Sequence, residues 1–345
     1  MEIKIKFDPT EKQPVEKIEP IMPPQATLSP KEAAKAVAEE RSTSLAMVYQ
    51  ELEHLIGLHQ VKNTIYEIQA FVEIQKRRKA AGLKGETMVL HAIFKGNPGT
   101  GKTTVARLMA KLLREMGLLE KGHLVEVERA DLVGEYIGHT AKKTREKIEK
   151  AQGGVLFIDE AYSLARGGEK DFGKEAIDVL VKAMEDKRHQ FVLILAGYKD
   201  EMAGFLRANP GLISRFPLHI EFPDYTLDEL LEIAEFMYQE RQYLLASDTK
   251  ILLRRILSDA LQKYPKHNGN ARLVRNIMEA SLRRQAVRLL SSGASAKDEL
   301  MVITPFDVTV ELDKMLSTPA EDPLDNCIPL LQEYSRHFRD NALSI

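Results

Sequence analysis

The segment Gly96-Asn97-Pro98-Gly99-Thr100-Gly101-Lys102-Thr103-Thr104 constrains this chain more than any other. It follows an apolar run ending in Ala92-Ile93-Phe94 and opens a helical pattern, Val105-Ala106-Arg107-Leu108-Met109-Ala110. Strand, glycine loop, helix is the context in which G-x-x-x-x-G-K-[ST] becomes a phosphate-binding loop. The glycines let backbone N–H groups turn inward on an anion, and the helix start adds its dipole and free donors. Lys102 is placed to reach β- and γ-phosphates, and Thr103 to set its hydroxyl on Mg²⁺.

Around this loop the pattern is one of short apolar runs alternating with helices. Strand candidates are Ala92–Phe94, His123–Val127, Val155–Ile158, Phe191–Ala196 and His219–Phe222, with helical patterns such as Thr140–Ala151 and Glu175–Glu185 between them. That alternation implies an α/β fold, a parallel sheet flanked by helices on both faces. From Leu227 the periodicity is purely helical, over Leu227–Gln242, Thr249–Gln262 and Ala271–Leu290, which predicts a small all-helical domain. Upstream, Leu58, Val61, Ile65, Ile68 and Val72 follow helical spacing, and Lys76-Arg77-Arg78-Lys79 with Gly82 marks that helix's end.

The expected organisation is an extended arm over 1–30, a helical extension over 31–54, a large α/β nucleotide-binding domain over 55–224, a helical lid over 225–290 and an extension over 291–345. The arm pairs an alternating segment, Met1, Ile3, Ile5 and Phe7, with recurrent prolines. The extension holds a strand candidate at Leu300–Ile303 and a weak helix at Ile328–Phe338. With 345 residues, a formal net charge of −2 and a single cysteine, Cys327, the chain carries no global basic field for nucleic acid and cannot form an internal disulfide. No apolar run approaches a membrane span. The expectation is a cytoplasmic protein with neither membrane nor nucleic-acid partner.

Gly153-Gly154-Val155-Leu156-Phe157-Ile158-Asp159-Glu160 places two carboxylates at the end of a buried strand, where ligands of open α/β sheets bind. Asp159 is the candidate Mg²⁺ holder and Glu160 the group that orients or activates an attacking water. Arg215, in Asn209-Pro210-Gly211-Leu212-Ile213-Ser214-Arg215-Phe216-Pro217, precedes the last strand and is placed to project toward a neighbouring subunit's γ-phosphate. Arg272, in Gly269-Asn270-Ala271-Arg272, opens a lid helix and can reach phosphates from the cleft's other side.

These four elements in this order resemble the AAA+ ATPases, densely from about Leu55 to Leu290. The resemblance implies ATP with Mg²⁺, a homo-oligomer, typically a hexamer, and a protein substrate gripped in a central pore. It makes Asp159-Glu160 the Walker B pair, Arg215 the arginine finger and Arg272 the sensor 2 residue. It also puts Leu55-Ile56-Gly57-Leu58 and Ile233 against adenine. Val192–Tyr198 matches the sensor 1 strand, with Tyr198 where many members carry Asn, Ser or Thr. Asp131-Leu132-Val133-Gly134-Glu135-Tyr136-Ile137-Gly138-His139-Thr140 and the stretch from Ala161 to Asp178 resemble the group that joins stage V sporulation proteins with red-type Rubisco activases, and the latter stretch the sporulation side. Tyr136-Ile137-Gly138 then takes the place of pore loop 1, and Arg166–Phe172 that of a second channel loop.

Three lesser patterns carry no function. Asp131-Leu132-Val133-Gly134 has no guanine motif after it, and Asp171-Phe172-Gly173 has no kinase catalytic loop before it. Arg283, Arg284 and Arg288 read as a solvated helix face. The expected function is an ATP-driven remodeller of a protein substrate in endospore maturation. The alternatives are a red-type Rubisco activase and a nucleotide-gated assembly scaffold.

Overall fold

A computed structural model describes residues 43–308, except 87, 137, 167–171, 265–268 and 294–295. The arm over 1–30, the helical pattern at 31–41, Cys327 and the helix expected at Ile328–Phe338 lie outside the described residues.

Five strands, β1 (Ala92–Gly96), β2 (Leu124–Val127), β3 (Val155–Ile158), β4 (Val192–Gly197) and β5 (Leu218–Phe222), form one parallel sheet in the order β2-β3-β4-β1-β5. Side chains alternate across a strand, and both sides are covered here. Ala92, Phe94, Val155, Phe157, Val192, Ile194 and Ala196 enter one core, while Ile93, Leu156, Ile158, Leu193 and Leu195 enter the other. This explains why the central strands read as unbroken apolar runs.

Helix α1 spans 43–53, and α2 (His59–Ala80) buries Val61, Ile65, Ile68 and Val72 on one stripe. It ends after the basic run, with Gly82 at φ 75. Helix α3 (Lys102–Glu115) starts directly from the phosphate loop and buries Val105, Ala106, Leu108, Met109, Leu112 and Leu113. On the opposite core lie α4 (Arg129–Leu132), α5 (His139–Lys150), α6 (Gly173–Asp186), α7 (Lys199–Ala208) and α8 (Pro210–Ile213). Asp131 has a local task there. Its carboxylate accepts from the Glu128 N–H at 3.1 Å and from Lys147 Nζ at 2.7 Å, which caps α4 and ties it to α5.

The lid is built on α9 (Leu227–Glu240), α10 (Ser247–Lys263) and α11 (Asn270–Ser292). Thr226 caps α9: its hydroxyl accepts from Glu229 N–H, and the Glu229 carboxylate accepts from Thr226 N–H at 2.7 Å. Packing continues past residue 290. Helix α12 (Lys297–Met301) leads into β7 (Val302–Ile303), which pairs in parallel with β6 (Leu244–Leu245). The strand expected at Leu300–Ile303 is therefore half helix: the Glu299 carboxylate accepts from Ala296 N–H at 3.3 Å and starts a helical turn that runs through Met301.

Arg288 corrects the reading of a solvated basic face. Its guanidinium pairs with Asp307 through Nε and Nη2, each at 2.9 Å, and the Asp307 side chain is fully buried. Burial would raise that carboxyl's pKa, but Arg288 and the Thr304 N–H and hydroxyl more than offset it and hold the acid below its usual range. The pair pins the turn Pro305–Val308 onto α11.

His91, 1% exposed, sits beneath the sheet between Phe191 and Phe216, and its Nδ1 accepts from Leu193 N–H at 3.0 Å. Burial, with a smaller contribution from His189, pushes its pKa down to about 4. The unfolded imidazole protonates near 6.5, so acidification favours the unfolded chain. Stability should fall between about pH 6.5 and 4, with a slope up to about 1.4 kcal/mol per pH unit from this group. Urea denaturation at pH 7.5, 6 and 5 checks this. His91→Asn, whose Oδ1 can still accept from Leu193, should flatten the dependence, and an unchanged slope would refute the assignment.

Candidate functional site

The strands β3, β4 and β1 are adjacent and parallel, so the segments leaving their carboxyl ends emerge side by side. They are Asp159-Glu160 after β3, Tyr198 after β4 and the phosphate loop after β1. The lid helix α11 closes the opposite wall. The result is a cleft with a cavity of about 210 Å³. Pro98, Gly99, Gly101, Lys102, Thr103 and Thr104 line one side, Asp159, Glu160, Tyr162, Gly197 and Tyr198 the floor, and Ala271, Arg272 and Arg275 the lid wall.

Within the loop, Thr100 is fully buried and its hydroxyl donates to Asn97 C=O at 2.8 Å. Lys102 Nζ donates to the carbonyls of Gly96 and Asn97 at 2.9 and 2.8 Å. Burial lowers the Lys102 pKa. Asp159, Asp224 and Glu160 act in the opposite sense, while Arg272 adds to the depression. The ammonium is thus within electrostatic reach of Asp159, Glu160 and Arg272. Asp159 Oδ1 accepts from Glu160 N–H at 2.9 Å, which fixes the first carboxylate. Glu160 is exposed, with a left-handed backbone at φ 46 and ψ 43. Such a backbone is strained in a non-glycine residue, and the Glu160 side chain lines the cleft.

Two tyrosines flank Glu160. Tyr198 stacks on Tyr162 with centroids 5.7 Å apart, and the Arg166 guanidinium covers the Tyr162 ring at 4.6 Å. Burial first, then the Glu160 charge, raises both phenol pKa values, so both tyrosines remain protonated donors.

The lid meets the loop directly. Gly99 has φ 73, and a Cβ there would lie 2.3 Å from Gly269 O. Ala271 N–H donates to Gly99 C=O at 3.2 Å. Tyr225, in the segment joining β5 to α9, donates its hydroxyl to Thr100 C=O at 3.3 Å, and its pKa is pushed up by burial to about 12. Gly57 lies against Glu229 and Tyr225, and Leu58 approaches Gly101. Ile56 is half-buried against the core, and Ile233 is 7% exposed within it. Neither lines the cleft.

Arg215 stands away from the cleft. It follows α8, and its Nε donates to Glu185 Oε1 at 3.0 Å and its Nη1 to Gly211 C=O at 2.6 Å. Tyr136 is 65% exposed, with its ring edge-on to His139 at 5.4 Å, and Gly138 takes φ 80 at the start of α5. Ile137 lies outside the described residues, as do 167–171 of the second channel loop. Sequence reasoning missed Tyr162, Arg275, Asp224 and Tyr225. Two signals were present: Tyr162 follows Glu160 by two residues, and Arg275 lies one helical turn beyond Arg272 on the same face.

The geometry is tight enough to predict a steric effect. Gly99→Ala would place a side chain in a left-handed position, costing roughly 1–2 kcal/mol, and against the Gly269 carbonyl. Urea denaturation should report a loss of stability of at least that size. Wild-type stability in that variant would contradict the contact.

Comparison with known proteins gives a consistent family. The model of AAA, the ATPase family associated with various cellular activities, matches residues 92–224, and that of the AAA lid domain matches 226–318. Stage V sporulation protein K of Bacillus subtilis is 52% identical over 288 residues, covering 83% of this chain and 87% of its own length. Protein CbbX of Cereibacter sphaeroides is 47% identical over 280 residues, covering 81% and 90%. The chloroplastic ribulose bisphosphate carboxylase/oxygenase activase of Cyanidioschyzon merolae is 44% identical over 283 residues, covering 81% and 94%.

Proposed function

The chain belongs to the AAA family of ATPases, in the group that includes stage V sporulation protein K, CbbX and a Rubisco activase, and from that premise we propose that it is a ring-forming motor that remodels a protein client during endospore maturation. One observation carries the chemical part: Lys102, Thr103, Asp159, Glu160 and Arg272 reach one cleft from three separate elements. In this reading ATP lies along the phosphate loop, its β- and γ-phosphates met by loop N–H groups and by Lys102. Gly96 to Thr104 form its cradle; by the family resemblance the adenine side falls to Ile56, Gly57 and Ile233, which stand behind the residues that line the cleft itself.

The Thr103 hydroxyl and the Asp159 carboxylate are hard oxygen donors on one cleft, which suits Mg²⁺ bound partly by substrate phosphates. Bound there, the ion neutralises phosphate charge. Glu160, exposed on the cleft floor, takes the proton of the attacking water. Tyr198 and Tyr162 offer hydroxyls to water or phosphate beside it. Arg272 supports the phosphates from the lid.

Arg215 belongs to the neighbour's site. Its absence from this chain's own cleft, and its station on Glu185, fit a group that serves another copy. A hexamer is the expected ring. Tyr136, exposed beside a flexible glycine, then grips an extended polypeptide in the channel together with Ile137 and Gly138. The cytoplasm of a spore-forming bacterium is the proposed setting, supported by the 52% identity to the sporulation protein. The activase relative, at 44% identity, favours Rubisco as the second candidate client. Restoration of inhibited red-type Rubisco by the purified protein decides between them.

Glu160→Gln should leave ATP binding intact and reduce turnover by roughly 10²–10⁴-fold. Arg215→Ala should likewise stop hydrolysis while sparing binding. Single-turnover assays beside equilibrium titration distinguish these effects, and rapid turnover in Glu160→Gln would sink the assignment. Tyr136→Ala separates a motor from a scaffold. A motor loses client processing, measured with ATP hydrolysis followed in parallel, whereas a scaffold keeps its function.

A further inference from the structure

The link between the two domains contains Asp224, an exposed acid just after β5. Its carboxylate accepts from Asn97 Nδ2 at 3.0 and 2.8 Å and from Asn270 Nδ2 at 2.7 Å. Asn97 belongs to the phosphate loop and Asn270 to the first turn of α11. Asn270 is 1% exposed and holds a left-handed backbone, φ 49. Its amide also donates to Pro98 C=O at 3.2 Å, and its Oδ1 accepts from Tyr225 N–H at 2.9 Å. Two residues further along α11 is Arg272, on the cleft wall. We propose that Asp224 is a positioning residue of the ATPase: it locks the phosphate loop to the start of α11 and so sets where the Arg272 guanidinium stands.

Hydrogen bonds to an ionised acceptor are the strong ones, and here one carboxylate receives donors from both sides of the hinge. The lid cannot pivot on the loop without breaking the Asn270 contact. A competing role exists for the same acid. Asp224 also acts on Lys102, so its charge alone could tune the phosphate site. The two roles differ in one respect. A charge effect on Lys102 persists when Arg272 is absent, whereas a positioning effect vanishes.

The inference rests on the reading of Arg272 as a phosphate-facing group, and a double-mutant cycle separates the two. Asp224→Asn should lower kcat for ATP about tenfold with KM within about threefold, as expected for a lost charge-assisted contact. In an Arg272→Ala background the same change should alter kcat by less than about twofold. Asn270→Gly, which tolerates the left-handed backbone, should show the same dependence on Arg272. Thermal melting of each variant verifies folding. Equal fold losses in both backgrounds, or no loss with Arg272 present, overturn the role of Asp224. If Arg272→Ala alone keeps wild-type kcat, the reading of Arg272 fails, and the inference with it.

Discussion

A carbonyl oxygen of the lid, at Gly269, occupies the space where a side chain on residue 99 would begin. The cleft depends on that close approach. It lets the first turn of α11 rest on the phosphate loop, so that one wall comes from the sheet and the other from the lid. The parallel sheet supplies the counterpart constraint. Three neighbouring strands with both faces buried hold the roots of the loop, the Asp159-Glu160 pair and Tyr198 at fixed spacing. Neither wall alone brings charge of both signs to bear on Lys102.

Backbone strain follows the same geography. Among the described residues, Leu58, Glu160, Gln242 and Asn270 are the non-glycine positions with positive φ. Three of them belong to the cleft or its rim: Leu58 beside Gly101, Glu160 on the floor, and Asn270 on the loop. Such conformations cost on the order of 1–3 kcal/mol each and persist only where their surroundings over-determine them. For Glu160 the surroundings are a fully buried strand on one side and a 3-10 turn packed beneath on the other. For Asn270 they are its hydrogen bonds to Asp224, Pro98 and Tyr225.

Much of this was legible in the amino-acid order, because local rules carried it. A two-sided buried strand shows as an apolar run, and Val155–Ile158 matches residue for residue. The helical periodicity that opens at Leu227 meets the start of α9 at that same residue. The phosphate loop and acidic pair announce themselves by spacing. What stayed hidden depends on partners distant in sequence. Asn270 meets Asp224 across 46 residues and Arg215 meets Glu185 across 30. Arg288 looked like one more solvated cation until Asp307 folded beneath it. Leu300–Ile303 divided between helix and strand because Glu299 caps a turn that a β-pattern cannot foresee.

The rims of the sheet carry a consequence for how copies of the chain meet. Among the described residues its outermost strands, β2 and β5, are four and five residues long. Each presents an acid engaged by a nearby cation: Glu126 with Arg107 at 2.5 Å, and Glu221 with Lys199 at 3.1 Å. Short, charged margins discourage strand-to-strand addition. Neighbouring molecules therefore gain little by extending one another's sheet at these two margins.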